Sequence, residues 1–325
     1  MPTIDPAKLE QVTRDVFVAR GVPAGDAGWI ATLLVRANLR GHDSHGVIRI
    51  PHYVRAMKAG EVNPAPHITV ESETPTIALI DGDQGFGQVV ARRGITLAVE
   101  KAAAQGMSAV TLKRTNHIGR LADYAEMAAS QGLIGMLWVN APMALNVAPW
   151  GGAGRRLGTN PHAIAVPGPN GSVAMSLDFA TSVIAEGKLK VKFNRGEPVA
   201  PGIMLNGAGQ PSTDPREFYA DPPGSLLTVG GHKGYGLSLA VEILGGILVC
   251  LDPGRFLPPA DFHAQVEALF AFARSAPLAA GAKEILIPGE PEARTERERR
   301  AHGIPVDDET WRQIAKCVAE IDVSA

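Results

Sequence analysis

Cysteine is nearly absent from this sequence. Its two copies, Cys250 and Cys317, stand far apart and in no paired spacing, which excludes a disulfide scaffold or a cysteine zinc knuckle and suits a reducing cytoplasm. A dominant charge is lacking too: 31 Lys and Arg face 33 Asp and Glu, for a net charge of −2. That balance leaves no electrostatic footprint for nucleic acid or for an anionic membrane. Long apolar runs are also missing. The longest, Leu237 to Leu251, is interrupted by Glu242 and is too short to cross a bilayer. The opening segment MPTIDPAKLEQ has no basic start before an apolar core, so no secretory signal is expected. No repeat or low-complexity stretch stands out. What is present is 325 residues, 45% hydrophobic and 20% charged, with 36 glycines and 25 prolines. Such a chain folds into one large domain or two to three ordinary ones, with many shaped loops.

The first 60 residues read as helices. Asp5 before Pro6 is an N-cap followed by proline at the first helical position, and Gly21 stops that helix. Leu9, Val12, Val16 and Ala19 mark its apolar face, and Trp29, Ile30, Leu33, Leu34 and Ala37 give a second stripe ending at Gly41. A third helical stretch runs to Gly60, and Asn63-Pro64-Ala65-Pro66 then breaks the pattern. This predicts a helical subdomain over 1–67, completed by 291–325, whose last helix opens at Asp307–Asp308 and runs through Trp311, Ile314 and Val318. Over 68–290 the rhythm alternates. Strands are expected at 76–80 (closed by Asp81-Gly82), 107–112, 133–139, 162–166, 173–178, 225–228 and 247–251, and helices at 88–105, 119–131 and 234–246. The 133–150 stretch, with Asn140, Pro142 and Asn146, reads as buried strand plus loop. The succession predicts an α/β fold with some parallel pairs in its sheet.

The glycine fingerprint of a Rossmann loop is missing. Gly85-Phe86-Gly87 is followed by Val90 where the third glycine belongs, Gly234-Tyr235-Gly236 by Leu239, and Gly152 and Gly154 have their next glycine at 158. There is no P-loop. Histidines gather in two polar, glycine-flanked segments: Gly41-His42-Asp43-Ser44-His45-Gly46 with His52 nearby, and Thr115-Asn116-His117-Ile118-Gly119. The second follows a predicted strand, so it is either a helix cap or a functional loop. A metal held by His42, Asp43 and His45 lacks the spacing and further ligands such a site needs. Pro51 argues for a turn from Ser44 to Arg49 and a helix beginning at Pro51, with Tyr53 in its first turn. Arg49 is either salt-bridged to Asp43 or another acid, or a clamp for a substrate carboxylate. Gly158-Thr159-Asn160-Pro161 reads as a turn. Asp178 and Ser182 are either helix caps or, with their neighbours, acceptors and helix-start amides for a cofactor phosphate. Lys233, among Gly230, Gly231 and Gly234, is either a surface lysine or part of an anion cradle at a helix start. The Arg/Glu run at 294–300 is mixed in sign and reads as a solvated face.

Together these segments resemble the malate/L-lactate dehydrogenase family of the second, non-Rossmann type. The match runs in order through GHDSHGVIRIPHYV at 41–54, DGDQGFGQ at 81–88, TNHIGRLADYAE at 115–126, GTNP at 158–161 and LDFATSVIAEGK at 177–188. It continues with GSLLTVGGHKGYGLSLAVEILGG at 224–246 and IPGEPEARTERERRAHGIPVD at 287–307. The resemblance is greatest to the hydroxycarboxylate dehydrogenases. It implies a non-Rossmann NAD(P)-binding fold with a mixed central sheet. It also implies a cytoplasmic homodimer that interconverts a small 2-oxo acid and its 2-hydroxy acid with NAD or NADP. On that basis His117 is the general acid, His45 and Ser44 relay or orient, Arg49 holds the substrate carboxylate and Tyr53 assists. The family's cofactor contacts carry over to Asp178, Phe179, Ala180, Thr181 and Ser182, to His232 and Lys233, and to Gly289 and Glu290. Two alternatives remain: a cyclic imine (piperideine or pyrroline carboxylate) reductase, although such relatives tend to carry a second histidine where Asn116 stands, or a non-enzymatic nucleotide-binding protein. One departure concerns length. After Glu242–Gly246, relatives carry a Gly-rich polar excursion of roughly two to three dozen residues, whereas this sequence passes directly into Ile247–Asp252. Either the chain has lost a loop or a stretch is missing, and a Gly246–Ile247 Cα separation well beyond the roughly 3.8 Å of a trans peptide would mark the second case.

Overall fold

The computed structural model describes residues 2–140 and 144–322, so Pro142 of the expected loop lies outside the described residues. β1 (Thr3–Ile4) leads into α1 (Pro6–Val18), which Asp5 caps by accepting the Lys8 N–H at 3.0 Å. The buried face of α1 is Leu9, Thr13, Val16 and Phe17. Phe17 takes the inner position and Ala19, already the C-cap, faces solvent. α2 (Ala24–Leu39) follows, then two 3₁₀ turns over 43–45 and 47–49, then α3 (Ile50–Lys58) with Pro51 in its first turn. The turn expected between Ser44 and Arg49 is therefore present.

β2 (Thr69–Glu73) pairs antiparallel with β3 (Ile77–Gly85), and β3 pairs parallel with β4 (Met107–Thr115) across α4 (Gly87–Gln105). Asp81-Gly82 does not close β3. The pairing continues through Asp81↔Lys113 to Gly85↔Thr115, with an irregularity between them where Asp83 and Gln84 take φ of 49° and 55°. Asp81 supplies the local bond that makes this possible, accepting the Asp83 N–H at 2.8 Å. α5 (Ala122–Ala129) is shorter than expected because Gly119 (φ 84°) precedes it in a non-helical loop. The chain continues through β5 (Ile134–Trp138), β6 (His162–Pro167), β7 (Val173–Phe179), α6 (Glu186–Arg195), β8 (Met204–Leu205), β9 (Pro211–Ser212) and α7 (Pro215–Phe218). It ends with β10 (Ser225–Leu226), α8 (His232–Leu244), β11 (Ile247–Leu251), α9 (Pro259–Arg274), α10 (Glu290–His302), β12 (Ile304–Pro305) and α11 (Asp308–Asp322). α8 passes into β11 through Gly245 and Gly246 alone, the latter at φ 88°.

The chain divides into two units, Met1–Gly135 with Ile164–Leu177 and Leu248–Ala325, and Met136–Ala163 with Asp178–Ile247. A seven-stranded mixed sheet in the order β2-β3-β4-β11-β5-β6-β7 is the central layer, and β2 to β4 with most of β6, β7 and β11 belong to the first unit. Within that unit the two ends of the chain pack together. β1 pairs with β12 (Ile4↔Ile304), and Leu9, Phe17, Ile30, Tyr53, Ile314 and Cys317 share one core from α1, α2, α3 and α11. Cys250 is fully buried and burial pushes its thiol up to about 12. The second unit holds a small sheet in the order β10-β8-β9, with Leu189, Met204, Phe218 and Leu226 in its core. No helix among the described residues is long and apolar enough to cross a membrane.

Phe17 is fully buried, edge-on to Phe86 at 5.6 Å and 6.2 Å from the Tyr53 ring. Phe17→Ala should lower the unfolding free energy by about 3–5 kcal/mol, measured by urea unfolding. A loss below about 1 kcal/mol would show that this packing does not hold α3 in place.

Candidate active site

The loop after β4 carries His117, and its backbone is pinned from several directions. The Asn116 N–H donates to Gly85 O at 3.2 Å, and its side-chain amide donates to Gln84 O at 2.7 Å, fixing the positive-φ end of β3. On the other side, Gly87 lets the start of α4 approach so closely that a Cβ there would lie 2.2 Å from Asn116 O and 2.5 Å from His117 O. Beyond His117, the buried Tyr124 hydroxyl donates to Ile118 O at 2.6 Å. Arg120, 3% exposed, donates to Asp123 and Glu126 at 2.7 Å each. His117 therefore projects from a rigid loop; the Asn116 side chain serves β3 rather than capping a helix.

Two side chains meet His117. The Tyr53 hydroxyl is 2.6 Å from His117 Nδ1, and His45 Nδ1 is 3.2 Å from His117 Nε2, with the two imidazoles nearly parallel at 5.3 Å. Behind them, the Gln88 amide donates to the Tyr53 oxygen at 2.7 Å. Arg49 donates from Nε to Ser44 O at 2.7 Å. Ser44 thus contributes its carbonyl here. Asp43 pairs instead with Arg299 and accepts from Asn38, and among the described residues Arg49 makes no ion pair. The salt-bridge alternative for Arg49 falls. His42 faces Glu292 at 3.6 Å, away from a metal arrangement with His45, and no group of three His, Cys, Asp or Glu gathers among the described residues.

Electrostatics follow from this packing. Desolvation, then the positive charge of Arg49, hold His117 well below the usual histidine range, so the ring is neutral near pH 7. Burial pushes the Tyr53 phenol up to about 12, with Gln88 and Arg49 opposing; it stays protonated. Desolvation and Arg49 also lower His52.

In the second unit, the 178–182 segment splits by role. The Thr181 hydroxyl donates to Thr159 O at 3.0 Å and the Ser182 hydroxyl to Ile184 O at 2.8 Å, both buried. These two are committed to backbone, whereas Asp178, Phe179 and Ala180 are partly exposed. Neither Asp178 nor Ser182 is a helix cap, because α6 begins only at Glu186 with Ala185 as its N-cap. The expected helix-start amides at 182 are thus absent, and Ser182 instead bridges to Thr228. His232 and Lys233 open α8 after Gly230 and Gly231, at φ 61° and 64°, and both side chains are exposed. In the first unit, Gly289 (φ 100°) caps α10. The Glu290 carboxylate accepts the Ile287 N–H at 2.8 Å and an Arg274 donor at 2.7 Å, which makes it part of its own helix entry.

Two features escaped the sequence reading. Gln88 lay inside a matched segment without a role; its partner Tyr53 is 35 positions away, so no local spacing marks the pair. Glu126 accepts from Arg40 at 2.7 and 2.8 Å, from Arg120 and from Ser176, the last two at 2.7 Å. Ser176 in turn donates its N–H to Pro288 O at 2.9 Å, beside Gly289. Burial works against the Glu126 carboxylate, but Arg120 and Arg40 hold it below its ordinary range.

Comparison with known proteins points one way. A family model described as malate/L-lactate dehydrogenase matches residues 4–250 and 245–315, two pieces that meet where the sequence passes from α8 into β11. Hydroxycarboxylate dehydrogenase B of Escherichia coli K12 is 36% identical over 98% of this chain and 94% of its own. The sulfolactate dehydrogenase structure from Methanocaldococcus jannaschii superposes with a TM-score of 0.90 at 34% identity, covering 99% of this chain and 98% of that one. The Δ1-piperideine-2-carboxylate reductase structure from Pseudomonas syringae pv. tomato gives a TM-score of 0.84 at 25% identity, covering 98% of this chain and all of the other. The likeness extends over nearly the whole of each of these relatives, and this chain belongs to the malate/L-lactate dehydrogenase family of oxidoreductases acting on hydroxy acids.

Proposed function

We propose that the protein interconverts a small 2-hydroxy acid and the corresponding 2-oxo acid with a nicotinamide cofactor. The observation that carries this reading is Arg49. A guanidinium held by one backbone carbonyl, with no carboxylate partner among the described residues, lies close enough to a neutral histidine to depress its basicity. A substrate carboxylate completes the pair, because the terminal nitrogens of Arg49 can bind it bidentately. His117, joined to His45 and Tyr53, then exchanges the proton at the substrate oxygen. Its two ring nitrogens are both engaged within the protein, so the substrate oxygen takes over the 3.2 Å contact with His45 while Tyr53 keeps the ring oriented.

The residues of the second unit suit an anionic cofactor. Gly231 brings the backbone so close to Trp150 that a Cβ would lie 2.8 Å from its ring, and this tight entry presents His232, Lys233 and the first amides of α8 outward. His232 and Lys233 would hold phosphate, and Asp178 through Ala180 would offer acceptors and an aromatic edge. Thr181 and Ser182 would keep that segment in place. In the first unit Gly289 would offer backbone and Glu290 would fix the turn. A nicotinamide cofactor would supply or accept the hydride.

Four outcomes test this reading. NADH or NADPH should be consumed with a panel of small 2-oxo acids; turnover of cyclic imines alone would move the protein to the reductase branch, and nucleotide binding without turnover would make it a binding protein. His117→Ala should lower kcat by about two orders of magnitude or more, and a near-normal kcat would transfer the acid role to His45. Arg49→Ala should raise KM for the carboxylate substrate, and unchanged kinetics would reject the clamp. The pH dependence has a defined sign. Oxidation of the hydroxy acid needs neutral His117, and its depressed basicity keeps it neutral well below pH 6.5. The kcat/KM for oxidation should therefore stay level through pH 6.5 and fall only at lower pH, while reduction gains as pH falls. An oxidation limb centred at or above pH 6.5 counts against His117.

A further inference from the structure

We propose that Arg299 is a positioning residue that holds the Asp43 carboxylate against α10 and so leaves the Arg49 guanidinium open to a carboxylate from the substrate. The consequence for substrate binding rests on the function proposed above; the arrangement of charge does not.

Asp43 and Arg49 carry opposite charges within one tight segment. Successive backbone bonds join them: the Gly46 N–H donates to Asp43 O at 3.1 Å, and the Arg49 N–H to Gly46 O at 3.0 Å. The residue between them is a glycine and offers no side chain to keep them apart. Ser44, next to Asp43, supplies the carbonyl that takes Arg49 Nε at 2.7 Å. Left alone, the Asp43 carboxylate is the nearest counter-ion in the chain for this guanidinium, and the pair would occupy the fork that a substrate needs.

Arg299 prevents that. Its Nη1 and Nη2 donate to the two Asp43 carboxylate oxygens at 2.5 and 3.1 Å, and Nη1 also donates to Asn38 O. Asn38, 4% exposed, adds a third bond. Its Nδ2 donates to Asp43 Oδ1 at 2.7 Å while its Oδ1 accepts the Val47 N–H at 2.8 Å. That amide cannot turn round, since its oxygen would then face a carboxylate. Gly46 packs so closely on it that a Cβ would lie 2.1 Å from Asn38 Oδ1. The Asp43 charge is therefore fixed toward α10 and compensated there. Neighbouring charges are taken by the same side of that helix: Glu292 meets His42 at 3.6 Å and Glu296 meets Arg40 at 2.8 Å. Positions 292, 296 and 299 share one face, so the Arg/Glu run that reads as solvated is partly committed to residues 40–43.

Without Arg299, Asp43 would attract Arg49 and repel an incoming carboxylate. Arg299→Met should raise KM for the 2-oxo acid about tenfold, with kcat and the cofactor KM little changed. Because the Asp43 side chain is half-exposed, the gap to wild type should narrow as salt is added. Asp43→Asn keeps the shape and the Asn38 bond but removes the charge. Alone it should not raise KM, and in the Arg299→Met background it should return KM toward the wild-type value. A role confined to holding the turn together predicts the reverse, with the second loss leaving KM no better. The Arg49 Nε–H signal in a ¹H–¹⁵N spectrum, assigned by its loss in Arg49→Lys, reads the same arrangement without substrate or cofactor. It should move in Arg299→Met and return in the double variant. An unchanged KM and signal in Arg299→Met overturn the proposal, as does a double variant no better than the single one. Should Arg299→Met fail to fold, a rise in KM in Asp43→Asn as large as that in Arg49→Ala overturns it equally. If the wild-type chain turns over no 2-oxo acid, the proposed function fails and the Arg49 signal alone decides this inference.

Discussion

The first residue of α4 lies against the backbone of the loop that carries His117, and no side chain fits between them. Gly87 is the condition for this contact: even a methyl group would collide with two carbonyl oxygens at 2.2 and 2.5 Å. Two consequences follow from one close approach. The loop after β4 is forced to place His117 at a fixed height above α3, where Tyr53 waits. The next residue of the helix, Gln88, is delivered to the far side of the same phenol. A packing constraint on backbone thus becomes a constraint on where the Tyr53 hydroxyl meets the His117 ring.

The buried charges serve the same end from below. Arg120 and Glu126 are taken out of water beside the loop they stabilise, which is costly unless every charge finds partners. Here Arg40, Arg120 and Ser176 converge on Glu126, so its charge is compensated three ways. Ser176 then reaches the Pro288 carbonyl next to Gly289. The His117 loop and the entry of α10 are therefore parts of one rigid assembly within the first unit, which favours a preorganised site over one that must order itself around each substrate.

Much of this was legible in the sequence, and the misses have physical causes. The proline and aspartate before α1, the glycines after α4 and α5 and the polar histidine segments all act locally, so their spacing reports on their structure. The end of β3 misled because Asp81-Gly82 looks like a turn, yet parallel pairing with β4 outweighs that preference and carries the strand to Gly85. α9 left no clear stripe because none of its residues is buried. Arg49 could not be resolved from composition; only the observed pairing of Asp43 with Arg299 removed its competitor. Gln88 was invisible for a different reason. Its meaning lies in which end of an amide faces a tyrosine brought in from another helix, and sequence spacing carries no such information.

The scarcity of cysteine also gains a practical sense. Cys250 is sealed within β11 and resists ionisation, and Cys317 is buried in the core shared by the chain ends. Thiolate, not thiol, is the reactive form, so a maleimide offered to the folded protein meets two poor targets. The native chain is in effect a silent background on which two added surface cysteines, one in each unit, would carry the only spectroscopic labels, ready for a distance measurement between them.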